Sequence, residues 1–259
     1  MSSPSTELRT CTYNIHKGVC TASKRPILPE LRHAIRTVDA DLVFLQEVVG
    51  EHSATALVSA FRRAGVFSYP QFEYLADEVW PHHAYGRNAI YQRGHHGNAI
   101  LSKNQFLHWD NFDVSQWWFS QRGILLGKLA MGVYVVCVHF GLFSRERKKQ
   151  LQKLLALLAK KVPDNMPLII AGDFNDWKGK LHRRLVDEMS FQEAYSTVYG
   201  RPARTFPARL PFFSMDRIYY RNLKLIDAEV LSGAPWRRLS DHRALYAVFD
   251  IAGIESFSN

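Results

Sequence analysis

The sequence predicts an α+β protein in which two mixed β-sheets pack face to face and helices cover their outer surfaces. Two observations support this class. Strand-like apolar segments outnumber the helix-like segments, and many of the connections between strands are predicted to be hairpins. A strict alternation of strands and helices, which is typical of a wholly parallel sheet, is not seen.

Each element is predicted from the spacing of its apolar residues. Continuous or alternating apolar runs indicate strands, and repeats at i, i+3 and i+4 indicate helices. The longest helix carries a stripe of Leu151, Leu154, Leu155 and Leu158, with lysines on its other faces. In chain order we predict a strand over 8–15, a helix over 31–38, a strand over 41–47, a helix over 53–64, a strand over 98–102, a hairpin of 123–129 with 132–139, a helix over 144–162, and strands over 167–172, 215–220, 223–231 and 244–251.

The chain is expected to form one domain, 1–259, with its core over about 8–250. Its 259 residues contain no Pro/Gly/Ser-rich linker, low-complexity tract or internal repeat. The composition is 47% hydrophobic and 22% charged, which is ordinary for a soluble globular protein. We expect a monomer.

The net charge of +9 favours polyanionic partners such as nucleic acid, anionic lipid or phosphorylated metabolites. An indifferent basic surface is the alternative. The three cysteines, Cys11, Cys20 and Cys137, have no zinc-type spacing and cannot all pair as disulfides. Residues 1–10 lack the apolar region of a signal peptide, and no segment approaches the roughly 20 apolar residues of a membrane span. A cytoplasmic protein is therefore expected.

Acidic, amide and imidazole side chains follow or precede several of the predicted strands. The clearest case is the apolar run that leads into Gly172-Asp-Phe-Asn175. Side chains at i and i+2 leave a strand on the same face, so Asp173 and Asn175 are predicted to point together. The other members are Asn14, Glu47, His139, Asp216, Asp241 and His242. Any one of these residues alone is more simply a turn former or a structural histidine.

The residue types indicate the chemistry. Carboxylates and amides without a cysteine pair or a histidine-rich cluster suit Mg²⁺ or Mn²⁺ better than Zn²⁺. Such a site suits metal-assisted phosphoryl transfer, in which positioning and charge neutralisation supply most of the catalysis. No Walker-type phosphate loop and no Gly-x-Ser-x-Gly elbow is present, which argues against nucleotide-driven chemistry and against a serine esterase.

An ordered set of motifs resembles the endonuclease/exonuclease/phosphatase superfamily, which includes pancreatic-type deoxyribonucleases, apurinic endonucleases and neutral sphingomyelinases. Those motifs are Thr12-Tyr-Asn-Ile15, Leu45-Gln-Glu47, Gly172-Asp-Phe-Asn175, Asp216-Arg-Ile218 and Ser240-Asp-His242. Tyr85-Gly-Arg-Asn-Ala89 and His95-His-Gly-Asn-Ala99 look like an uncharacterised intracellular bacterial branch. The resemblance spans about residues 8–250. It implies a four-layer α/β sandwich, the DNase I-like fold, with the site at one edge of the two sheets.

The resemblance also implies a role for each motif residue. Glu47, Asn14 and Asp241 would hold the Mg²⁺ or Mn²⁺ ion. Asp173 would position or deprotonate the attacking water, and Asn175 would donate to the phosphate as charge builds. His242, oriented by Asp216, would hydrogen-bond the phosphoryl oxygens or protonate the leaving group, and His139 would contact the phosphate from the other side. Substrate contacts are expected from Arg122, Asn98 and His16.

Two of these positions leave alternatives open. The apurinic endonuclease branch has an acidic residue where this chain has His16, which weakens the abasic-site interpretation. His16 would contact phosphate or simply fill space. Arg122, in Gln121-Arg-Gly123, would contact phosphate or form a surface ion pair.

The substrate is the least determined feature. An aromatic loop contains Trp117, Trp118 and Phe119, and Phe212, Phe213 and Trp236 precede the later motifs. These rings would stack on bases, enter a lipid interface or, most simply, pack beneath the loops. We expect a metal-dependent phosphodiesterase acting on nucleic acid. The alternatives are a phosphoesterase acting on a phospholipid headgroup or small phosphorylated molecule, and a non-catalytic scaffold, against which the full motif set argues.

Overall fold

The computed structural model describes residues 6–20, 23, 25–52, 59, 61–63, 70–91 and 94–254. The strands in these ranges are β1 (Glu7–Asn14), β2 (Leu42–His52), β3 (His82–Tyr91), β4 (Gly94–Ser102), β5 (Phe106–Asp113), β6 (Gly123–Leu129), β7 (Tyr134–His139), β8 (Leu168–Asp173), β9 (Gln192–Glu193), β10 (Asp216–Arg221), β11 (Lys224–Val230) and β12 (Leu245–Asp250). The α-helices are α1 (Leu28–Val38), α2 (Gln71–Ala76), α3 (Ser144–Lys161), α4 (Lys180–Arg183), α5 (Ala194–Tyr199) and α6 (Trp236–Leu239).

These strands form two six-stranded mixed sheets. The strand order is β11-β12-β1-β2-β4-β3 in the first sheet and β5-β6-β7-β8-β10-β9 in the second. Parallel pairing joins β1 to β2 and β7 to β8, and the other neighbours are antiparallel. The carboxyl ends of β7 and β8 therefore lie side by side, and the end of β1 lies beside the middle of β2.

Alternation along each strand divides the core into layers. On β2, Phe44 packs between the two sheets, whereas Val43 and Leu45 pack beneath α1. On β8, Ile169 faces the other sheet and Ile170 packs beneath α3. The α3 stripe is buried, as its spacing predicts: Leu151, Leu154 and Leu158 all lie in the core. The result is a four-layer arrangement of helices, sheet, sheet and helices.

The predicted fold class is confirmed. Every predicted strand is present with ends shifted by a few residues, and α1 begins at Leu28, so that Pro29 lies in its first turn. One strand differs more, because β2 continues to His52 and does not end at Glu47. The predicted helix over 53–64 lies largely outside the described residues, of which 59 and 61–63 are helical.

Three strands, β3, β5 and the two-residue β9, were not evident from the sequence. β5 is largely exposed at the edge of the second sheet, so its side chains show no alternation of apolar and polar residues. β3 lies at the edge of the first sheet, where one row of backbone groups has no strand partner. Among the described helices, none has the length and apolar character needed to cross a bilayer.

A glycine at the end of β8 makes the close approach to β7 possible. Gly172 has φ +146°, and a Cβ there would lie 2.0 Å from the carbonyl oxygen of Val138. We expect Gly172→Ala to lower the free energy of unfolding by about 2 kcal/mol or more, because it adds backbone strain and a backbone clash. Urea denaturation measures this. Gly253→Ala is the control, since among the described residues no atom other than those of its chain neighbours lies within 4 Å of its Cβ position. Equal stability of both variants would contradict the expectation.

Candidate active site

Polar side chains from both sheets meet at one edge of the molecule. In the second sheet, His139 at the end of β7 is in register with Asp173 at the end of β8, and Asp173 is paired with Asp216 at the start of β10. From the first sheet, Asn14 donates its Nδ2 to Asp173 Oδ2 at 3.2 Å. Asp173 is therefore the residue on which the two sheets converge.

Asp173 lies in a buried polar environment, with 2% of its surface exposed. Its Oδ2 is 3.5 Å from His139 Nε2 and 3.8 Å from His242 Nε2. Its Oδ1 accepts the backbone N–H of Asn175 at 2.9 Å. Burial raises the pKa of the Asp173 carboxyl above its ordinary value, against the opposing charge of His242. A raised pKa makes this carboxylate a better proton acceptor near neutral pH.

Asp216 orients the imidazole of His242. His242 Nδ1 lies 2.8 Å from Asp216 Oδ2, and Asp216 is fully buried. Burial by itself lowers the pKa of His242, but the charges of Asp216 and Asp173 outweigh burial and raise this pKa to about 10. His242 is therefore a cation at neutral pH, with its Nε2 on the side of Asp173.

The ligand atoms of Asp173, Asp216 and His242 lie within 4.8 Å of one another, a spacing that also fits a metal ion. However, His242 Nδ1 is already engaged with Asp216 Oδ2. The atoms left for a metal at this cluster are His242 Nε2 and Asp216 Oδ1, which is buried and has no hydrogen-bond partner among the described residues. The hydrogen bond between Asp216 and His242 also equips the cluster to hold and move protons.

His139 differs from His242 in its charge. Burial, aided by the positive charge of Arg122, lowers the pKa of His139 well below its ordinary value. The imidazole is neutral at pH 7, with its Nε2 facing the Asp173 carboxylate at 3.5 Å. One histidine beside Asp173 is thus charged and the other is neutral.

The backbone places Asn175 at the site in a different way from the one predicted. The prediction that Asp173 and Asn175 share a strand face is wrong, because β8 ends at Asp173 and Asn175 has a left-handed backbone with φ +50°. The Asn175 Nδ2 donates to the carbonyl of Phe140 at 2.9 Å. The turn still keeps the two side chains together, through the bond from the Asn175 backbone N–H to Asp173.

Glu47 lies at a β-bulge and not at a strand end. The register between β2 and β4 shifts between Leu45 and Val48, so Gln46 and Glu47 together lie opposite Asn98. Glu47 has φ +58°, a conformation that is uncommon for a residue with a side chain. Bulges redirect side chains next to functional sites. The bulge therefore accounts for the position of this carboxylate.

A second polar group, next to Asp173, contains the residues expected to hold a metal. His16 Nδ1 lies 3.4 Å from Asp241 Oδ1 and 4.0 Å from Glu47 Oε2, and all three side chains are about one-quarter exposed. The Asn14 Oδ1 accepts the backbone N–H of His16 at 3.1 Å. The two carboxylates lie near the same His16 nitrogen, and together with the Asn14 amide oxygen they are hard ligands of the kind that suits Mg²⁺ or Mn²⁺. The residues present therefore fit such an ion.

The expected substrate contacts are only partly available. Asn98 is buried, and its Nδ2 donates to the carbonyls of Gly123 and Cys137 at 3.1 and 3.4 Å, which ties the two sheets together. Arg122 makes no ion pair with a described carboxylate; its Nη1 donates only to the carbonyl of Gln121. The surface ion pair considered for Arg122 is thus not found within the described part of the chain.

The aromatic loop, residues 115–122, is exposed. Trp117, Trp118 and Phe119 are 43%, 87% and 58% exposed, so the interpretation that they pack beneath the loops is wrong. Phe212 is also exposed, whereas Trp236 is buried against Tyr13. The rings of the aromatic loop are therefore available to a ligand.

Two further residues support the site and were not assigned a role from the sequence. Ser240 accepts the backbone N–H of His242 at 3.2 Å and donates to the carbonyl of Asn14 at 2.7 Å. The Phe206 ring lies 4.9 Å from the His242 ring. Ser240 lies inside the Ser-Asp-His motif, which is the signal that could have found it. Phe206 carries no comparable signal, because apolar residues in loops are common.

Comparison with known proteins identifies the family. The model of the Endonuclease/Exonuclease/phosphatase family matches residues 11–242. The chain belongs to this family. Its members are phosphoesterase hydrolases, which places the protein in that enzyme class.

Individual relatives are similar over nearly the whole chain. The uncharacterized protein YbhP of Escherichia coli (strain K12) is 42% identical over 247 residues, covering 92% of this chain and 94% of that protein. TDP2 from D. rerio, complexed with single-strand DNA product, has a TM-score of 0.62 at 16% identity and covers 95% of this chain and 99% of that one. A mannosyl-6-phosphatase from Bacteroides thetaiotaomicron has a TM-score of 0.65 at 16% identity and covers 93% and 98%. At these identities the two structures show a shared fold.

Proposed function

We propose that this protein is a divalent-metal-dependent phosphodiesterase that hydrolyses nucleic acid by attack of water on a phosphate. One observation carries the proposal. The buried group of Asp173, Asp216 and His242 lies beside the more open group of Glu47, His16 and Asp241, and Asn14 contacts both. A proton-handling group next to a hard-ligand group is the combination that metal-assisted phosphate hydrolysis needs.

Glu47, Asp241 and the Asn14 side-chain oxygen would hold the ion, with His16 between the two carboxylates. Bound Mg²⁺ or Mn²⁺ supplies positive charge against the phosphate oxygens. His16 occupies the place where the apurinic endonuclease branch has an acid, so the ion in this chain would meet one fewer negative charge.

The residues of this chain divide the proton chemistry between them. Asp173, whose pKa is raised by burial, accepts a proton from the attacking water and orients it. His242 is protonated at neutral pH and donates from Nε2 to a phosphoryl oxygen as negative charge builds there. His139 is neutral and contacts the phosphate from the β7 side. The second N–H of the Asn175 amide remains for a phosphate oxygen, since the first donates to Phe140.

The net charge of +9 supports a polyanionic substrate, because basic residues raise the local concentration of nucleic acid. A second candidate is a phospholipid, favoured by exposed apolar side chains on loops: Trp118, Phe143, Leu210 and Phe212. Salt separates the two. Hydrolysis of a long nucleic acid is expected to weaken steeply as salt rises, through counterion release, whereas a small phosphoester shows a shallow dependence.

The test is a panel of DNA, RNA, abasic DNA, phospholipid and sugar phosphates with Mg²⁺ or Mn²⁺. Turnover of single-stranded or duplex nucleic acid, abolished by EDTA and steep in salt, is the expected result. Phospholipid turnover alone would favour the second candidate. No turnover of any phosphoester with either metal would contradict the enzymatic proposal as a whole.

Metal binding can be measured apart from turnover. We expect Glu47→Gln to weaken Mn²⁺ affinity at least about tenfold, since loss of groups that merely support metal ligands already costs 10–100-fold. Isothermal titration calorimetry without substrate measures this. Glu51→Gln is the matched control, because Glu51 is an exposed glutamate on the same strand. Equal Mn²⁺ affinities of the two variants would show that Glu47 is not a metal ligand.

A further inference from the structure

A cavity of about 500 Å³ lies beside the aromatic loop. Its wall contains Trp117 and Trp118, the cations Arg87 and Arg122, one carboxylate, Asp113, and side-chain amides that include Gln116 and Gln121. The volume is within the range of small-molecule sites and accommodates one nucleotide but not a duplex. This cavity is distinct from both polar groups described above.

Arg122 connects the cavity to the active site. It lies directly before β6, and the next residue, Gly123, accepts a hydrogen bond from Asn98 between the sheets. Its charge also acts on His139. The Arg122 Nε is buried without a hydrogen-bond partner, and no described carboxylate neutralises the guanidinium. A half-buried guanidinium that has no carboxylate partner among the described residues and lies in a cavity wall can bind an anion.

The aromatic loop is anchored through Ser120, and two of its rings pack against each other. The Trp117 and Phe119 rings are parallel within 8°, with centroids 6.1 Å apart. The loop is closed by the bond from the Ser120 N–H to the Trp117 carbonyl, and Ser120 Oγ donates to the buried Glu146 at 2.7 Å. A preorganised platform costs little entropy when a ring stacks on it.

The edges of the cavity offer both a hydrogen-bond donor and a hydrogen-bond acceptor. Gln121 Oε1 accepts from Ile90 N–H, while its Nε2 has no partner among the described residues. Gln116 Nε2 donates to the Val114 and Ser115 carbonyls, while its Oε1 has none among them. Among the described residues of the wall, Ile90 is the one with an aliphatic side chain, so this lining suits an acyl chain poorly.

We propose that this cavity binds an unpaired nucleobase of the substrate, stacked on Trp117 and Trp118, with Arg122 contacting the phosphate between that base and the reacting centre. An unpaired base has a flat face and free polar edges, which match the two indoles and the amides. The proposal rests on the proposed phosphodiesterase function and narrows its substrate to single-stranded nucleic acid or a short oligonucleotide.

The test compares two ligands of equal charge, a hexathymidylate and an abasic deoxyribose-phosphate hexamer. Binding to the full-length protein is measured in EDTA at one salt concentration. We expect the hexathymidylate to bind about 5- to 150-fold more tightly, the range expected for stacking of one base. In the Trp117→Leu/Trp118→Leu double variant, the ratio of the two affinities falls to near 1. The control is Trp109→Leu, which removes a 43% exposed tryptophan outside the cavity and is expected to leave the affinity ratio unchanged.

Several outcomes would overturn the base pocket: equal affinity of both hexamers for the parent protein, a ratio that survives in the double variant, or tryptophan-dependent binding to phosphatidylglycerol vesicles without any base preference. Turnover with Mn²⁺ separates this failure from failure of the proposed function. If both hexamers bind equally and both are hydrolysed, the base-binding proposal is wrong and the phosphodiesterase proposal stands. If the hexathymidylate binds more tightly but neither hexamer is hydrolysed, the base-binding proposal stands and the phosphodiesterase proposal is wrong.

Discussion

Asp173→Asn is expected to lower kcat for phosphodiester hydrolysis by about 10²- to 10⁴-fold, the usual contribution of a positioned general base. The amide keeps the shape of the carboxylate and still accepts the Asn175 backbone N–H, but it cannot take a proton from water. The effect should fall on kcat more than on KM, because the lost interaction belongs to the transition state.

Single-turnover and steady-state rates with Mn²⁺ measure the effect. Asp110→Asn is a matched control, since Asp110 is an exposed aspartate on β5, two strands away from β7 in the same sheet. A thermal unfolding curve close to that of the parent shows that the Asp173 variant is folded. If the variant retained a third or more of the parent kcat, Asp173 would not be the base.

Asp216→Asn is expected to lower kcat by about 10³- to 10⁴-fold, by analogy with the carboxylate that orients a catalytic histidine. An amide in place of the Asp216 carboxylate removes the charge that holds the Nδ1 proton of His242, at a contact of 2.8 Å. Burial then dominates and lowers the pKa of His242, so that the imidazole is neutral at pH 7. Titration of the His242 ring protons by NMR, compared with the parent, tests this directly.

The same substitution has a consequence for stability that depends on pH. The folded-state pKa of His242 is about 10, above its ordinary value of 6.5. The protonated imidazole therefore contributes fully to the free energy of unfolding below pH 6.5, and this contribution is lost as the pH rises through 10. The parent should therefore exceed Asp216→Asn in stability most at pH 6 and least at pH 10. Urea denaturation in EDTA at pH 6, 8 and 10 measures the difference. A difference that grows with pH would contradict a charged His242.

Local patterns were sufficient to predict most of the secondary structure. Buried strands such as β7 and β8 show continuous apolar runs, and α3 shows its stripe, because both are set by which faces are buried. The edge strand β5 was missed since exposure removes that signal. The strand end predicted at Glu47 was wrong because a bulge depends on the partner strand and not on the local sequence.

In the candidate site, too, the local sequence identified the residues but not their arrangement. The motifs identified the polar residues. Strand alternation was expected to bring Asp173 and Asn175 together, whereas in the structure a left-handed turn does so. The exposure of Trp117 and Trp118 was also beyond local reasoning. Whether a loop covers its aromatic rings depends on anchors such as the bond from Ser120 to Glu146, which lies 26 residues away.

The sequence by itself therefore determined the class, two packed mixed sheets covered by helices, and the residue types of the candidate site. The reason is that the spacing of buried residues and the chemistry of the side chains are both properties of the local sequence. Tertiary structure alone decided that Asn14 from one sheet reaches Asp173 in the other, that His16 lies between Glu47 and Asp241, and that His242 is charged while His139 is neutral. The physical reason is that register, bulges and burial set distances and local charge. The Asp173–Asn175 segment acquires its chemistry from those neighbours.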